Sequence, residues 1–593
     1  MKKNTIKFLS GSAALGTLAG TFLSAAPLAD AAKVGKFDTA YKNPKKAIKG
    51  GTLKVAEVSE TPFVGQWLGS LSDDATTSNV TAYANEGLFW TDSSFKFIKG
   101  GLANLKIDKE AKTATITLRD DAKWSDGQPI VAKDIEYNYE ITGNPKSGSS
   151  RFTDALANIK GYADYHDGKA DTISGVELPD GDNGKKVVLH FDQVTPGMYQ
   201  SGNGYFLEEA VPYHQLKDIK FEDLAKAKET NTEPVTTGVF RVKKIVPGES
   251  ISYERNPYYF GKKPKLDGVT VSILAPSKAV ASAKSGEYDI YLDAGNSNYP
   301  KFSKVSGYKI VGQLDNYFSA LYYNLGHFDA EKGINVTDRE TPLNDVKVRQ
   351  ALGYARNVTQ VQKKFSNGLA SLANTTIPPL FEKFANKDVK AYDYQPKKAA
   401  KLLDEAGWKL NKKTGIREKD GKKLSFVYLG RSGSANSETV AQNYIQKWKA
   451  VGVEVKLYKN KLIDFNTYVS MMTDPTADQN WDFTDGAWSL SSEPSQSDLF
   501  GARAPYNFGH FTSDKLTSLL KNIDSEKSLD ESYRIKQFHK YQQYVHDEAF
   551  IIPTSFNISY VPVNKRVTGY NLDFGQNEKL SNIGVSSKKT VTK

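Results

Sequence analysis

The 593-residue chain contains no cysteine. That one absence excludes disulfides, thiolate metal sites, cysteine nucleophiles and a lipidated N-terminal cysteine. Long apolar runs are also lacking beyond the first 26 residues, so the remainder of the chain is expected to be soluble. Histidine is sparse: the seven present form no His-x-x-x-His pair, which excludes the common zinc-hydrolase helix. No Gly-x-Ser-x-Gly elbow, Gly-x4-Gly-Lys-Ser/Thr phosphate loop or Gly-x-Gly-x-x-Gly fingerprint occurs. Acidic pairs such as Asp73-Asp74 and Asp120-Asp121 are commonplace among 68 acidic residues, and a working acid/base pair needs geometry beyond adjacency. Neither an enzyme nor a bound cofactor is expected.

What is present is a large body and a marked beginning. The length exceeds the roughly 250–300 residues at which one hydrophobic core stops growing, so two or three lobes are expected. Lys2, Lys3 and Lys7 precede an uncharged stretch from Phe8 to Ala26, then Pro27 and Ala29-Asp30-Ala31, a small-x-small cleavage pattern. Residues 1–31 read as a secretory signal; a membrane span is the competing reading, weakened by the Gly, Ser and Thr scattered through the segment. The formal charge is +11, and removing residues 1–31, with their three lysines and one aspartate, leaves +9. A basic exported protein can adhere to an anionic cell wall. The cations are interleaved with acids and accompany no aromatic nucleic-acid motif, so nucleic acid is not an expected partner.

The pattern along the chain is α/β. Gly50-Gly51-Thr52-Leu53-Lys54-Val55-Ala56 and Thr113-Ala114-Thr115-Ile116-Thr117-Leu118 alternate as strands, whereas Ala399 to Ala406 has helical spacing and stops at Gly407. Loops are expected at Asn144 to Ser150, Pro179 to Gly184 and Ser489 to Pro505, the last long enough to suggest a functional loop.

The stretch from Ala122 through Trp124-Ser125-Asp126-Gly127 to Tyr137 resembles the signature of solute-binding protein family 5 of ABC importers. It reads as a strand, a Ser-Asp-Gly turn and a helix opening at Ala132-Lys133-Asp134, so Trp124 and Asp126 are expected to serve the fold. Four further blocks are similar to the family in the same order: Thr237 to Val242 with Glu254 to Tyr259, Asn344 to Leu352, Lys397 to Trp408, and Ile551-Ile552-Pro553. The resemblance implies a class II periplasmic-binding-protein-like fold of two lobes with an extra subdomain inserted in the first. Its core subdomain falls at 33–75, 233–312 and 553–593, the insertion at 76–232 and lobe II at 313–552. It also implies a ligand enclosed between lobes that close about two crossing strands, and delivery to a membrane permease with its ATPase subunits. The protein is thus expected to be exported, extracellular, wall-associated or periplasmic, without a lipid tether, and monomeric.

In peptide-binding members the ligand main chain is held as an added strand. The matching positions are Asp73, Asp74 and Ala75 in the first lobe and Gly486, Ala487, Trp488 and Ser489 in the second. Tyr322 is a further cleft candidate, although a strand alternating into the core explains it equally well. The family's usual aspartate after the Trp, which pairs with a peptide's α-amino group, is replaced: the chain reads Trp488-Ser489-Leu490-Ser491-Ser492-Glu493-Pro494, with Ser491 at the matching place. Either Asp485 or Glu493 takes over the amine, or the ligand's N-terminus is unfixed; the expectation is the latter. The places of a carboxylate clamp are occupied by Asp485 and the Ser434 to Ser437 region, including Asn436. The same fold with a sugar, metal chelate or signalling peptide, and a basic surface adhesin, remain alternatives.

Overall fold

A computed structural model describes residues 33–34, 37–59, 62–63, 65–72, 75–329, 331–432, 436–473, 477–504 and 506–593. The expected signal segment lies outside them. The chain divides into two compact units. The first comprises the residues through Gln313 with Ser491–Glu493 and Ile558–Lys593; the second comprises Leu314–Leu490 and Pro494–Asn557. The chain passes from one to the other along two long strands, Tyr308–Tyr323 and Ile551–Asn564.

In the first unit, strand Thr52–Val58 lies between the parallel strands Gly268–Leu274 and Ile290–Leu292. Leu53, Val55, Val269, Val271 and Ile290 are all buried, because parallel strands covered on both faces read as apolar runs. Ser250–Arg255 and Phe240–Val246 extend the sheet antiparallel, and Val563 pairs with Ile290 at the other edge. A bidentate ion pair, Arg566 to Asp289 at 2.5 and 2.6 Å, is buried beside that edge. Arg566 also donates to the carbonyls of Thr52, Ser587 and Lys588, which supplies the hydrogen bonds that a buried charge requires.

The same unit holds a second core built on an antiparallel sheet, Ala103–Asp108, Thr113–Leu118, Lys186–His190 and Val176–Glu177. The alternation in Thr113–Leu118 turns Ala114, Ile116 and Leu118 inward. After it, the Trp124-Ser125-Asp126-Gly127 turn forms as expected, with Gly127 N–H donating to Trp124 O at φ +94°. Helix Ala132–Gly143 follows, and the Asp134 carboxylate accepts from the Val131 N–H at 2.9 Å and the buried Trp124 indole at 3.1 Å. Asp126 accepts from Gln128 N–H and faces His214 at 2.8 Å. Trp124 and Asp126 therefore do structural work.

The second unit orders its strands Ile551–Asn564, Tyr308–Tyr323, Phe483–Ser489, Ser425–Leu429 and Glu454–Leu457. Ser425–Leu429 runs parallel to both Glu454–Leu457 and Phe483–Ser489. Helix Val346–Ala355 is capped by Asp345, whose side chain accepts from Lys347 N–H. Helix Pro396–Glu405 ends just before Gly407 at φ +87°, the left-handed position that the sequence pattern required. The stretch 489–505, expected to be a bare loop, contains a short helix, Ser497–Phe500, because Leu499 and Phe500 are buried in the core there.

Candidate functional site

Open α/β sheets bind ligands outside the carboxyl ends of their strands, where the winding direction reverses. In the second unit the chain leaves Ser425–Leu429, forms Glu454–Leu457 on one side, then returns past it to form Phe483–Ser489 on the other. The reversal therefore lies beyond Leu429 and Ser489.

Phe483–Ser489 pairs with the crossing strand over its whole length, from Phe483↔Tyr323 to Ser489↔Tyr317. On the opposite edge the neighbouring strand ends at Leu429, paired with Thr484. The bonds Leu490 N–H to Asn316 O and Asn324 N–H to Asp482 O fix the even-numbered residues toward the crossing strand. Ala487 and Ser489 consequently direct their backbone N–H and C=O to the other edge, where no strand pairs with them among the described residues. The strand end is pinned by Asn316, whose amide donates to Leu490 O and whose carbonyl oxygen accepts from the Ser489 hydroxyl at 3.0 Å.

Side chains alternate across this strand. On one face Gly486 lies against the buried Tyr322 ring: a Cβ there would sit 2.8 Å from Tyr322 Cε2. Tyr322 is only 2% exposed and belongs to the core, and its hydroxyl has no hydrogen-bond partner among the described residues. Trp488 follows on that face, half-buried, with its ring centroid 4.9 Å from Tyr506 and 5.2 Å from Phe508. On the other face Asp485 forms an ion pair at 2.6 Å with Arg356, which is nearly fully buried, and accepts a hydrogen bond from the Tyr428 hydroxyl. The Arg356 guanidinium lies 3.8 Å over the Tyr444 ring. Burial opposes its charge, but Asp485, Tyr444 and Tyr428 outweigh that and hold its pKa above the usual value.

Ser491 and Glu493 close on each other: the Ser491 hydroxyl donates to Glu493 O at 3.0 Å and accepts from Glu493 N–H at 3.2 Å. Glu493 is buried. In the second unit the buried Gln496 accepts from the Thr376 and Tyr541 hydroxyls, each at 2.7 Å. Asn436 precedes helix Ser437–Lys449 in the loop after Leu429, on the same carboxyl side. Also at that side, a cavity of ≈ 330 Å³ is lined by Tyr458, Lys461, Leu462, Ile463 and Met471. Arg431, two residues beyond Leu429, lies 5.4 Å over the Tyr468 ring.

In the first unit, Asp73 and Asp74 lie outside the described residues. Ala75 opens helix Ala75–Thr81, which packs against Thr52–Val58. The sequence pattern missed Arg356, Tyr428 and Asn316, each supplied by a segment far along the chain from the strand it serves. Among the described residues no group of His, Asp and Glu is arranged to hold a metal ion, and no helix is long and apolar enough to cross a membrane.

A family model for bacterial extracellular solute-binding proteins, family 5 (middle), matches residues 97–509. The oligopeptide-binding protein OppA of Lactococcus lactis subsp. lactis (strain IL1403) is 53% identical over 600 residues, covering 100% of both chains. A solved structure of lactococcal OppA, complexed with an endogenous peptide in the closed conformation, superposes with a TM-score of 0.76 at 54% identity, covering 90% of this chain and 100% of that one. The oligopeptide-binding protein AppA of Bacillus subtilis (strain 168) is 26% identical over 551 residues, 90% of each chain.

Proposed function

The chain belongs to family 5 of the bacterial extracellular solute-binding proteins, and from that premise we propose that it is the oligopeptide-binding component of an ABC importer, handing its ligand to a membrane permease driven by ATPase subunits. Its task is binding and delivery; no step of covalent chemistry is assigned to it. The observation that carries the reading is the open edge of Phe483–Ser489. An extended peptide laid beside Ala487 and Ser489 completes their backbone hydrogen bonds, and such main-chain pairing is indifferent to ligand sequence. Trp488, Tyr506 and Phe508 offer flat faces to ligand side chains, and the cavity beside Ile463 has room for one more.

The ligand's N-terminus is unfixed in this reading. Asp485 is committed to Arg356 and Tyr428, and the Ser491 hydroxyl is used within its own turn. Asp73, Asp74 and Ala75 serve as the first-unit contacts, and Glu493 and Asn436 border the ligand. Tyr322 acts by supporting Gly486 from within the core.

Calorimetry with an oligopeptide and its N-acetylated form tests the reading. Equal affinities within about threefold are expected. A loss of a hundredfold or more on acetylation, about 2.7 kcal/mol, would overturn the unfixed terminus while leaving peptide binding intact. Failure of both forms to bind would remove the peptide reading itself.

A further inference from the structure

The positive charge of this protein is unevenly placed. Residues 409–423 hold six lysines and Arg417 against Glu418 and Asp420, an excess of +5 within fifteen residues of a chain whose total is +11. They form a three-stranded antiparallel meander, Lys409–Leu410, Arg417–Lys419 and Lys422–Lys423. All six lysines are exposed.

The neighbouring acids do little to neutralise them. Asp404 is taken by Arg417 at 2.8 Å, and Glu418 accepts from Asn411. Lys409 and Lys419 donate to the carbonyls of Asp404 and Ala406, where a helix ends, so these two have a structural role. Lys412, Lys413, Lys422 and Lys423 have no carboxylate within 4.0 Å among the described residues. The register sets Glu418 opposite Lys409 and Lys423 but leaves Lys419 directly opposite Lys422. Like charges facing each other across a ladder destabilise it, so the fold retains an arrangement that costs stability unless an anion offsets it.

We infer that this meander is a docking surface for a phosphodiester polymer of the cell surface. Charge complementarity supports a flexible polyanion, since lysines on short strands and a turn present point charges over an extended area, and Lys is a binder of phosphate as a point charge. The only large apolar side chain exposed within the meander is Leu410, at 50%, too little to insert into a bilayer. The site would hold the protein at its surface by charge, independently of the peptide reading.

The test uses purified protein and immobilised poly(glycerol phosphate). Replacing Lys412, Lys413, Lys422 and Lys423 by Gln is expected to weaken binding at least tenfold at 0.1 M salt. It should also flatten the slope of log affinity against log salt by about 3, the value for four lost phosphate contacts on a single-stranded polyanion. A control with equal charge loss, Lys243, Lys244, Lys301 and Lys304 to Gln, is expected to stay within about twofold of the parent. Equal weakening of the two variants, or none in the first, overturns the inference. Stronger capture by phosphatidylglycerol vesicles than by the polymer, lost in the first variant, overturns the choice of occupant. Peptide-induced thermal stabilisation, expected to be unchanged in both variants, shows that each is folded.

Discussion

Deleting a single carboxylate from Phe483–Ser489 isolates how far the site depends on a buried charge. Asp485 is 31% exposed on its side chain and Arg356 only 5%, so Asp485 reaches solvent while its partner does not. Asp485→Asn keeps the shape of the strand and leaves Arg356 charged, buried and opposite a neutral amide. Breaking a fully buried pair in this way costs about 3–5 kcal/mol, and the partial exposure of Asp485 places this case near the lower end, at about 3 kcal/mol. Urea unfolding at unchanged m-value measures it; a loss below about 1 kcal/mol would show that water already solvates Arg356. Replacing Arg356 by Met in the same variant is expected to recover part of the loss, because the unpaired buried charge is then gone. The same pairing explains why Asp485 is a poor partner for a peptide amine. The sequence allowed Asp485 as an amine ligand because a carboxylate's partner cannot be read from its neighbours; here the partner directly follows helix Val346–Ala355, 129 positions earlier in the numbering.

Elements explain why some of this was legible and some was not. Trp124, Asp126, Gly127 and Asp134 fall within one local strand-turn-helix, and local spacing specifies turns and caps directly. Gly407 marked a helix end for the same reason. By contrast, the open edge beside Ala487 and Ser489 arises because another strand stops at Leu429, and no residue of 483–489 encodes where its neighbour stops. Nor does alternation reveal which face of Phe483–Ser489 meets Tyr322. Once that contact is known, Gly486 acquires a specific reason: its hydrogen leaves room for an aromatic ring that a methyl would strike at 2.8 Å. Gly486→Ala is therefore expected to push the strand or ring aside, costing about 1–3 kcal/mol of stability and lowering peptide affinity through the displaced edge. Urea unfolding and peptide calorimetry check the two effects. Full stability with parental affinity would mean that the Tyr322 ring yields freely. Ala487→Gly, on the opposite face, provides the comparison.

At the scale of the whole molecule, stability is shared among several hydrophobic cores, and the first unit keeps titratable groups beside two of them. Glu86 is pushed up to about 8 by burial, helped by Glu578 and opposed by hydrogen bonds from Trp90 and Tyr259. Glu208 is raised to about 7, again by burial first. Because these carboxyls keep protons in the folded state that the unfolded chain releases near 4.5, folding loses free energy as pH rises from there toward 8. His510 acts in the other direction: burial lowers it to about 4 from 6.5, so acidification below 6.5 favours the unfolded chain. Lys579, lowered to about 8 by burial, costs the folded state stability that is recovered only as pH rises above about 8. From pH 6.5 to about 7 both glutamates, and from there to about 8 Glu86 alone, lower stability with His510 titrating below the window and Lys579 above it, and the thermal midpoint is expected to fall across that window. Each proton held only in the folded state contributes a slope of about 1.4 kcal/mol per pH unit. Glu86→Gln preserves the acceptor for the Trp90 indole and removes the titration, so its midpoint should decline less over the same range. Parallel curves for parent and variant would show that Glu86 is ionised in the folded protein and solvated through the small cavity it borders with Glu209 and Trp67.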